Sequence, residues 1–576
     1  MPSLRAASRL GALAGLLQFA SAAPQYLVHR LSAEHARPAA WSRTKCGSPS
    51  KSPQSDIITS WGAQVTPDSV VAGFGYPRPQ LTRDEASTFT SLNGLWELQL
   101  ANGHVDSTTG AGTFDDPLPF GVTLNQTILV PFPYESCLSG AFAWPAYSKF
   151  LFYRLLFDAP AGAARGLNTL LHFGAVDYNA SVFLNGAFVT NHVGGYDAFS
   201  ADVTPFLRPT SNELVLAVFD PSDQGVQPHG KQRISAISNP SGDTYTPSSG
   251  VWQSVWLESV PALHVSSLRL RADTRRLFLT VSTPPGAGPA LVSGAASFGG
   301  AQVATFAGAA FAEIVVEIPA PNLWSMDAPN LYDLVVNVTE PSTGVTDTVG
   351  SYFGMREVTL MQYTLPKSSA VGSRPAINGN FSFLAGWLDQ SWWPDGEYTA
   401  PSDDALAFDV QAVKNFGLNM IRLHQKVNAE RWYYAADRLG VAILQDAVQK
   451  YGGASNATRE PFLSDLKNMI DGRYNHPSII QWDVFNEGDC VGVFPDVAAV
   501  VKWVQDYDPS RLVDTNSGGP GNDLHVGSVN DIHTYPWPGS PDTTATQWAL
   551  VGEFGGIGSF TRVHNADFTP TLPSPP

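Results

Sequence analysis

From Arg374 onward the chain repeats one pattern: a short apolar strand ending in polar or ionisable residues, then a helix, then another strand. Phe381 to Asp389 reads as the first strand. Ser402 caps the following helix, whose first turn carries Asp403 and Asp404, where carboxylates favour the helix dipole. Asn419 to His424 is strand two and Ala429 to Leu439 the next helix. Strand three, Val441 to Asp446, precedes a helix near Pro461 to Tyr474. Strand four, Ser478 to Phe485, runs into Asn486-Glu487, and a helix over Pro495 to Gln505 leads to strand five, Leu512 to Asn516. Asp531 to Tyr535 and Trp548 to Glu553 are strands six and seven. Such alternation implies parallel βαβ units, and polar carboxyl ends fit a (β/α)8 barrel, which carries its chemistry on that rim.

Upstream the reading is all β. Between Trp61 and Pro261, runs such as Gly94 to Leu100, Phe152 to Phe157 and Glu213 to Phe219 alternate with period two. Asn185-Gly186 is a hairpin signal within them, so an antiparallel sandwich is expected. Val251 to Leu257 reads as its closing strand. From His264 to Glu357, shorter strands including Ile314 to Ile318 and Leu331 to Val336 suit an immunoglobulin-like sandwich.

A net charge of −17 disfavours nucleic acid and anionic membranes as partners, because both need basic surface. At the N-terminus, Arg5 and Arg9 precede the apolar run Leu10 to Phe19 and the small residues Ala20-Ser21-Ala22-Ala23. That order is a secretory leader, expected to be cleaved near Ala22 or Ala23 and too short to span a bilayer. Sequons at Asn125, Asn179, Asn337, Asn380 and Asn456 lead us to expect a secreted, extracellular glycoprotein. Three cysteines, Cys46, Cys137 and Cys490, allow one pair and one leftover thiol, and Cys490 is expected to be structural. No His/Cys cluster has zinc-ligand spacing, and no cofactor is expected.

Glycosidic cleavage needs a carboxylic acid to protonate the leaving oxygen. A retaining enzyme needs a second carboxylate, roughly 5–5.5 Å away, to attack the anomeric carbon. Glu487 closes strand four and Glu553 closes strand seven, in Gly552-Glu-Phe-Gly-Gly556. A lone glutamate there would read as a turn cap. Two at apolar strand ends favour a catalytic pair, with environments expected to push their pKa values apart.

The chain resembles glycoside hydrolase family 2, the β-galactosidase/β-glucuronidase group, over nearly all its length after the leader. The matching residues include Tyr76-Pro-Arg-Pro-Gln80, Asn93-Gly-Leu-Trp96, Phe152-Tyr-Arg154, Val182 to Gly186 and Gly250 to Glu258. They continue, in order, with Phe353-Gly-Met-Arg-Glu-Val358, Asn475-His-Pro-Ser-Ile479, Phe485-Asn-Glu487 and Gly552-Glu-Phe-Gly555. The resemblance implies a multidomain β plus α/β chain. It has a leader at 1–23, an extension at 24–60, a jelly-roll sugar-binding-type sandwich at 61–261, an immunoglobulin-like sandwich at 262–357 and a TIM barrel at 358–576. It implies Glu487 as acid/base, Glu553 as nucleophile and Asn486 on the sugar 2-hydroxyl.

Arg422, His424, Asp446, His533 and Tyr535 also end barrel strands, and each is weighed evenly as a substrate contact or a supporting group. Tyr535 could bond the nucleophile and tune its basicity. Asp389 ends strand one as part of an Asp-Gln pair where the family carries an Asn-Arg-His-Glu type of motif, which departs from plain β-galactosidase specificity. Of Trp392 and Trp393, one is expected to stack on sugar and the other to be core. The ligands of the metal-dependent members have no match, so no metal is expected.

An eighth strand should follow Glu553. Residues 560–576, ending in Thr-Pro-Thr-Leu-Pro-Ser-Pro-Pro, cannot supply a helix, a buried strand and a second helix. The barrel is therefore expected to be incomplete, with the edges of strands one and seven unpaired. A truncated gene model, a strand from a partner, or an inactive product would explain it. The first is preferred, because this tail has no family resemblance. The favoured function is secreted exo-β-glycosidase; the alternatives are an inactive carbohydrate-binding protein and, last, a structural adhesion protein. Which sugar is cleaved, and the oligomeric state, are not legible.

Overall fold

Asn185 and Gly186 both take positive φ, 55° and 86°, the conformation a two-residue hairpin turn requires. They join Asn179–Leu184 to Ala187–Val193 at the edge of a six-stranded antiparallel sheet. The sheet continues through Asn212–Phe219, Phe150–Phe157, Gly94–Leu100 and Gln126–Val130. A four-stranded sheet of Phe89–Ser91, Val255–Val260, Asn168–Phe173 and Phe199–Asp202 shares one core with it, including Trp96, Tyr153, Leu216 and Leu257. This is the jelly roll. The computed structural model describes residue 41 and residues 57–107, 110–141, 147–238, 243–366, 369–518 and 526–556. The leader at 1–23 and the tail at 560–576 lie outside the described residues.

The second sandwich pairs a three-stranded sheet, Ser267–Ala272, Arg276–Ser282 and Glu313–Glu317, with a four-stranded one. The latter runs Ala301–Ala309, Leu291–Phe298, Tyr332–Thr339 and Thr346–Phe353. Glu313–Glu317 alternates strictly between exposed and buried, as a strand with one wet face must. Leu279, Val292, Leu334 and Val349 fill the space between the sheets.

Seven parallel strands form the third unit: β1 Gly386–Asp389, β2 Met420–Leu423, β3 Ala442–Asp446, β4 Ile479–Asn486, β5 Leu512–Ser517, β6 Val529–His533 and β7 Trp548–Glu553. Helices α1 Asp403–Asn415, α2 Glu430–Leu439, α3 Arg459–Arg473 and α4 Val497–Tyr507 lie between them. The Ser402 hydroxyl accepts the Ala405 N–H at 3.2 Å, the cap read from sequence. β4 is buried along its whole length. Ile479, Ile480, Val484 and Phe485 each contribute about 1.5–3 kcal/mol by leaving water.

Strand one is shorter than its sequence suggests. Asn378 and Gly379, with φ of 55° and 75°, turn Asn380–Phe381 back onto Val371–Ile377. Only Gly386–Asp389 enters the barrel. The expectation that β7 has a bare edge is also corrected. The hairpin Val358–Thr364/Val371–Ile377 touches it through one parallel bridge, Ser373 to Trp548. The barrel remains open: β1 to β5 form one ladder, while β6, β7 and the hairpin form another.

An ion-pair cluster braces the jelly roll internally, and hydrogen bonds to main-chain carbonyls tie both sandwiches to the barrel. Glu258 of the jelly roll accepts bonds from Tyr76, from Arg78 at 2.7 Å and from Arg83 at 2.6 Å. Gln80 of the same segment donates to the Asn475 carbonyl at 3.0 Å. Arg356 leaves the second sandwich to donate to the carbonyls of Pro477 (2.7 Å) and Ile479 (2.8 Å) beneath β4.

Candidate active site

The carboxyl ends of β2, β3, β4, β6 and β7 converge on one cluster of polar side chains. Arg422 on β2 is its hub, 1% exposed. Its guanidinium donates to both Asp446 oxygens (3.0 and 2.7 Å), to Asn486 Oδ1 (2.8 Å) and to Glu553 Oε1 (2.8 Å). The planar fork of arginine, with five donors in fixed geometry, can grip Asp446 with two of them and still serve Asn486 and Glu553. Asp446 also pairs with His424 Nδ1 at 2.5 Å.

His533 links the two glutamates. Its Nε2 faces Arg422 Nη1 at 3.3 Å and the Ser517 hydroxyl at 2.9 Å. Arginine only donates, so Nε2 accepts and Nδ1 carries the proton, which it donates to Glu487 Oε1 at 2.7 Å. Tyr535 donates its hydroxyl to Glu553 Oε2. One ligand atom each from Glu487, His533 and Glu553 lie within 4.8 Å of one another. The three could face a cation together, yet Arg422 already supplies positive charge beside Glu553.

The two carboxylates differ in access: the Glu487 side chain is 46% exposed and that of Glu553 11%. The expectation that their pKa values are pushed apart is not met. The His533 hydrogen bond holds Glu487 below the usual glutamate range. Burial alone would raise Glu553, but the charge of the Arg422 guanidinium outweighs it and holds this carboxyl low too.

Of the residues singled out in the sequence, Arg422, His424, Asp446, Asn486, Glu487, His533, Tyr535 and Glu553 form this one network. His424 and Asp446 are each 1% exposed and serve to fix Arg422 rather than to face the cleft. Asp389 and Trp392 flank it without joining. The Asp389 carboxylate accepts the Ser391 N–H at 2.5 Å, and its carbonyl accepts the His424 N–H at 2.8 Å. Trp392 packs on Tyr245 of the jelly roll with ring centres 5.7 Å apart. Trp393 is core, edge-on to Trp61.

Asp483, Asp514, Asp531 and Lys231 escaped the sequence reading. Asp446, Asp483 and Asp514 are register partners on adjacent strands, and Asp531 continues the layer on β6. All four are buried, and burial raises Asp483 and Asp514 well above the usual range and Asp531 to about 6. The signal was an aspartate in each of four successive apolar strands. Lys231, from the jelly roll, pairs with Asp243 at 2.8 Å and lies over the Tyr451 ring, and its charge also acts on Glu487. Nothing local in the sequence marks it. Cys137 is disulfide-bonded, whereas Cys490 is free and buried, its thiol pushed up by burial to about 12, which rules it out as a nucleophile near neutrality.

Comparison with known proteins bears on the order and fold of the domains. The sugar binding domain of glycosyl hydrolases family 2 matches residues 89–261, a further model described as glycosyl hydrolases family 2 matches residues 290–356, and the family's TIM barrel domain matches residues 399–539. The chain is 26% identical to a β-galactosidase of Aeromonas hydrophila over 435 residues, 70% of this chain and 40% of that one. It is 24% identical to a β-galactosidase of Halalkalibacterium halodurans over 370 residues, 60% of this chain and 34% of that one. The chain spans 40% or less of the curated relatives it matches. Among solved structures, the β-glucuronidase of Lactobacillus rhamnosus superposes with a TM-score of 0.63 at 21% identity, over 79% of this chain and 77% of that one. The β-glucuronidase of Ruminococcus gnavus in complex with D-glucuronic acid gives 0.59 at 22% identity, over 76% and 73%. Three successive domains of one family, matched in order and in fold, place the chain: it belongs to glycoside hydrolase family 2.

Proposed function

We propose that this chain is a secreted retaining exo-β-glycosidase in which Glu553 attacks the anomeric carbon and Glu487 serves as acid, then base. One observation carries the reading: oxygens of the two glutamates lie within 4.8 Å of each other. That proximity supports direct attack, for which the carboxyl groups of a retaining enzyme stand roughly 5–5.5 Å apart. Glu553 is ionised and largely buried, held by Arg422 and Tyr535, as a nucleophile should be. Glu487 is open on one side, where a leaving oxygen can reach it. In the first half-reaction Glu487 gives its proton to the leaving oxygen as the Glu553–carbon bond forms. The His533 N–H stabilises the carboxylate so produced. In the second half-reaction that carboxylate takes a proton from water, which attacks the glycosyl ester and frees Glu553. Asn486, oriented by Arg422, presents its amide beside this pair, where it would meet the sugar 2-hydroxyl.

The matched relatives carry the names β-galactosidase and β-glucuronidase, so the proposed substrates are terminal β-hexosides or β-hexuronides. Secretion rests on the leader-like N-terminus and the sequons, and N-terminal sequencing of exported protein should begin near Ala23. The kinetic test uses aryl β-glycosides. Glu553→Ala should lose about 10³-fold or more in kcat. Glu487→Ala should lose little on dinitrophenyl glycosides and much on phenyl glycosides, because only the poor leaving group needs the acid. Unchanged turnover in both variants would refute the assignment.

A second reading, a non-catalytic carbohydrate-binding protein, is favoured by the open barrel between β1 and β7. Saturable sugar binding without turnover would establish it.

A further inference from the structure

Gln449, in the loop after β3, is fully buried. Oriented to satisfy its neighbours, its amide donates to the Asp489 carbonyl at 2.6 Å and accepts the Asn486 N–H at 2.8 Å. Those two backbone groups bracket Glu487. The turn they define is unusual: Glu487 takes φ 49° and Gly488 φ 90°. A glutamate holds the left-handed conformation only where its surroundings impose it. Ser517 fixes the far side by accepting the Glu487 N–H at 2.8 Å. Gln449 spans the near side.

The main chain of Gln449 is itself anchored from another domain. Its carbonyl accepts the N–H groups of His229 (3.0 Å) and Gly230 (2.9 Å) from the jelly roll. Gly230 is aligned with Lys450 in a parallel bridge. The approach is close: at φ 58°, a Cβ on Gly230 would lie 2.5 Å from the Gln425 carbonyl oxygen. Only glycine fits there without a shift.

We propose that Gln449 is the positioning residue for Glu487, and that the jelly-roll loop at His229-Gly230 is the second half of the same support. The catalytic consequence rests on the reading of Glu487 as acid/base. The jelly roll is then part of the proton-transfer apparatus, although it supplies no proton. A general acid must sit within hydrogen-bond reach of the leaving oxygen, and a misplacement of about 1 Å can cost about 10²-fold.

Hydrogen exchange on the full chain, read by mass spectrometry, tests the support without requiring turnover. Gln449→Leu keeps the volume and removes both amide contacts. The amides of residues 486–489 should exchange at least about tenfold faster, with peptides from β5 and the jelly-roll sheets unchanged. Gln449→Glu keeps an acceptor for the Asn486 N–H and should retain its protection. Gly230→Ala should loosen the same amides from the jelly-roll side. Unchanged protection of 486–489 in Gln449→Leu, or equal loosening throughout the barrel, overturns the proposal. If Gln449→Leu fails to fold, the Gly230→Ala comparison decides in the same way.

Kinetics add a readout that general destabilisation would not move. In Gln449→Leu, kcat/KM should fall at least about tenfold more for a phenyl than for a dinitrophenyl glycoside. Equal losses on both would overturn the positioning role. A wild type that cleaves neither glycoside refutes the glycosidase reading and leaves the exchange experiment to decide this one.

Discussion

Arg422 on β2 and Glu553 on β7 are joined across the barrel mouth by a 2.8 Å charge-assisted hydrogen bond. The same guanidinium is forked onto Asp446 beneath them. Four barrel strands separate these two in the chain, so the pairing exists only because the sheet curves. It keeps Glu553 anionic in a largely buried place, where an unpaired carboxylate would otherwise take up a proton.

Arg422→Met should therefore destabilise the chain by about 3–5 kcal/mol, because buried Asp446 and Glu553 lose the positive charge that compensates them. Urea unfolding measures this. The double variant Arg422→Met/Asp446→Asn should regain part of the loss, since one uncompensated charge is gone. Equal stability of wild type and Arg422→Met would contradict the role assigned to the guanidinium.

His533 sets the pH dependence expected of turnover. Its N–H holds the Glu487 carboxyl below the usual range. The acid form of Glu487 is required for the first step, so kcat/KM should fall as pH rises through that lowered value, giving an acidic optimum. His533→Asn removes the ring N–H, and the alkaline limb should move to higher pH. A limb that stays in place would show that another group governs it.

The sequence revealed the order of elements because its signals are local. Asn185-Gly186 needs only its own backbone to declare a hairpin, and Ser402 declares a helix start in the same way. Glu487 and Glu553 could be picked out because each ends an apolar strand that a packed core cannot neutralise. What stayed hidden depends on contacts far along the chain. Lys231 reaches the barrel rim from the jelly roll, and Arg422 gathers its three partners from β3, β4 and β7. The Asn378-Gly379 turn was a local signal left unread, and it shortened strand one. Two of the ordered motifs prove to be ties between domains: Gln80 reaches the Asn475 carbonyl of the barrel, and Arg356 holds the carbonyls beneath β4.

Glu135 gives a prediction about stability that is independent of turnover. It is 4% exposed and accepts the Ser249 N–H at 2.9 Å. Its Oε1 meets no donor among the described residues, and burial pushes its carboxyl up to about 8. The folded-state pKa thus lies above the unfolded value, so the native state binds the extra proton between about pH 4.5 and pH 8. Stability should fall as pH rises through that window. Glu135→Gln, a permanently neutral mimic, should flatten the dependence and gain on wild type by a few kcal/mol, on the order of 2–4, by pH 8. Thermal unfolding at pH 5 and pH 8 compares the two. Parallel curves would contradict a neutral Glu135.

The central claim is that Glu553 bonds to sugar carbon while Glu487 handles the proton. A 2-deoxy-2-fluoro-β-glycosyl fluoride, in galactosyl and glucuronyl forms, slows the second half-reaction and lets the covalent intermediate accumulate. Peptide mass spectrometry after brief exposure should find one fluoroglycosyl unit on the peptide containing Glu553, with activity lost in proportion. Label on Glu487, or a chain that hydrolyses glycosides yet never acquires label at Glu553, would contradict the account.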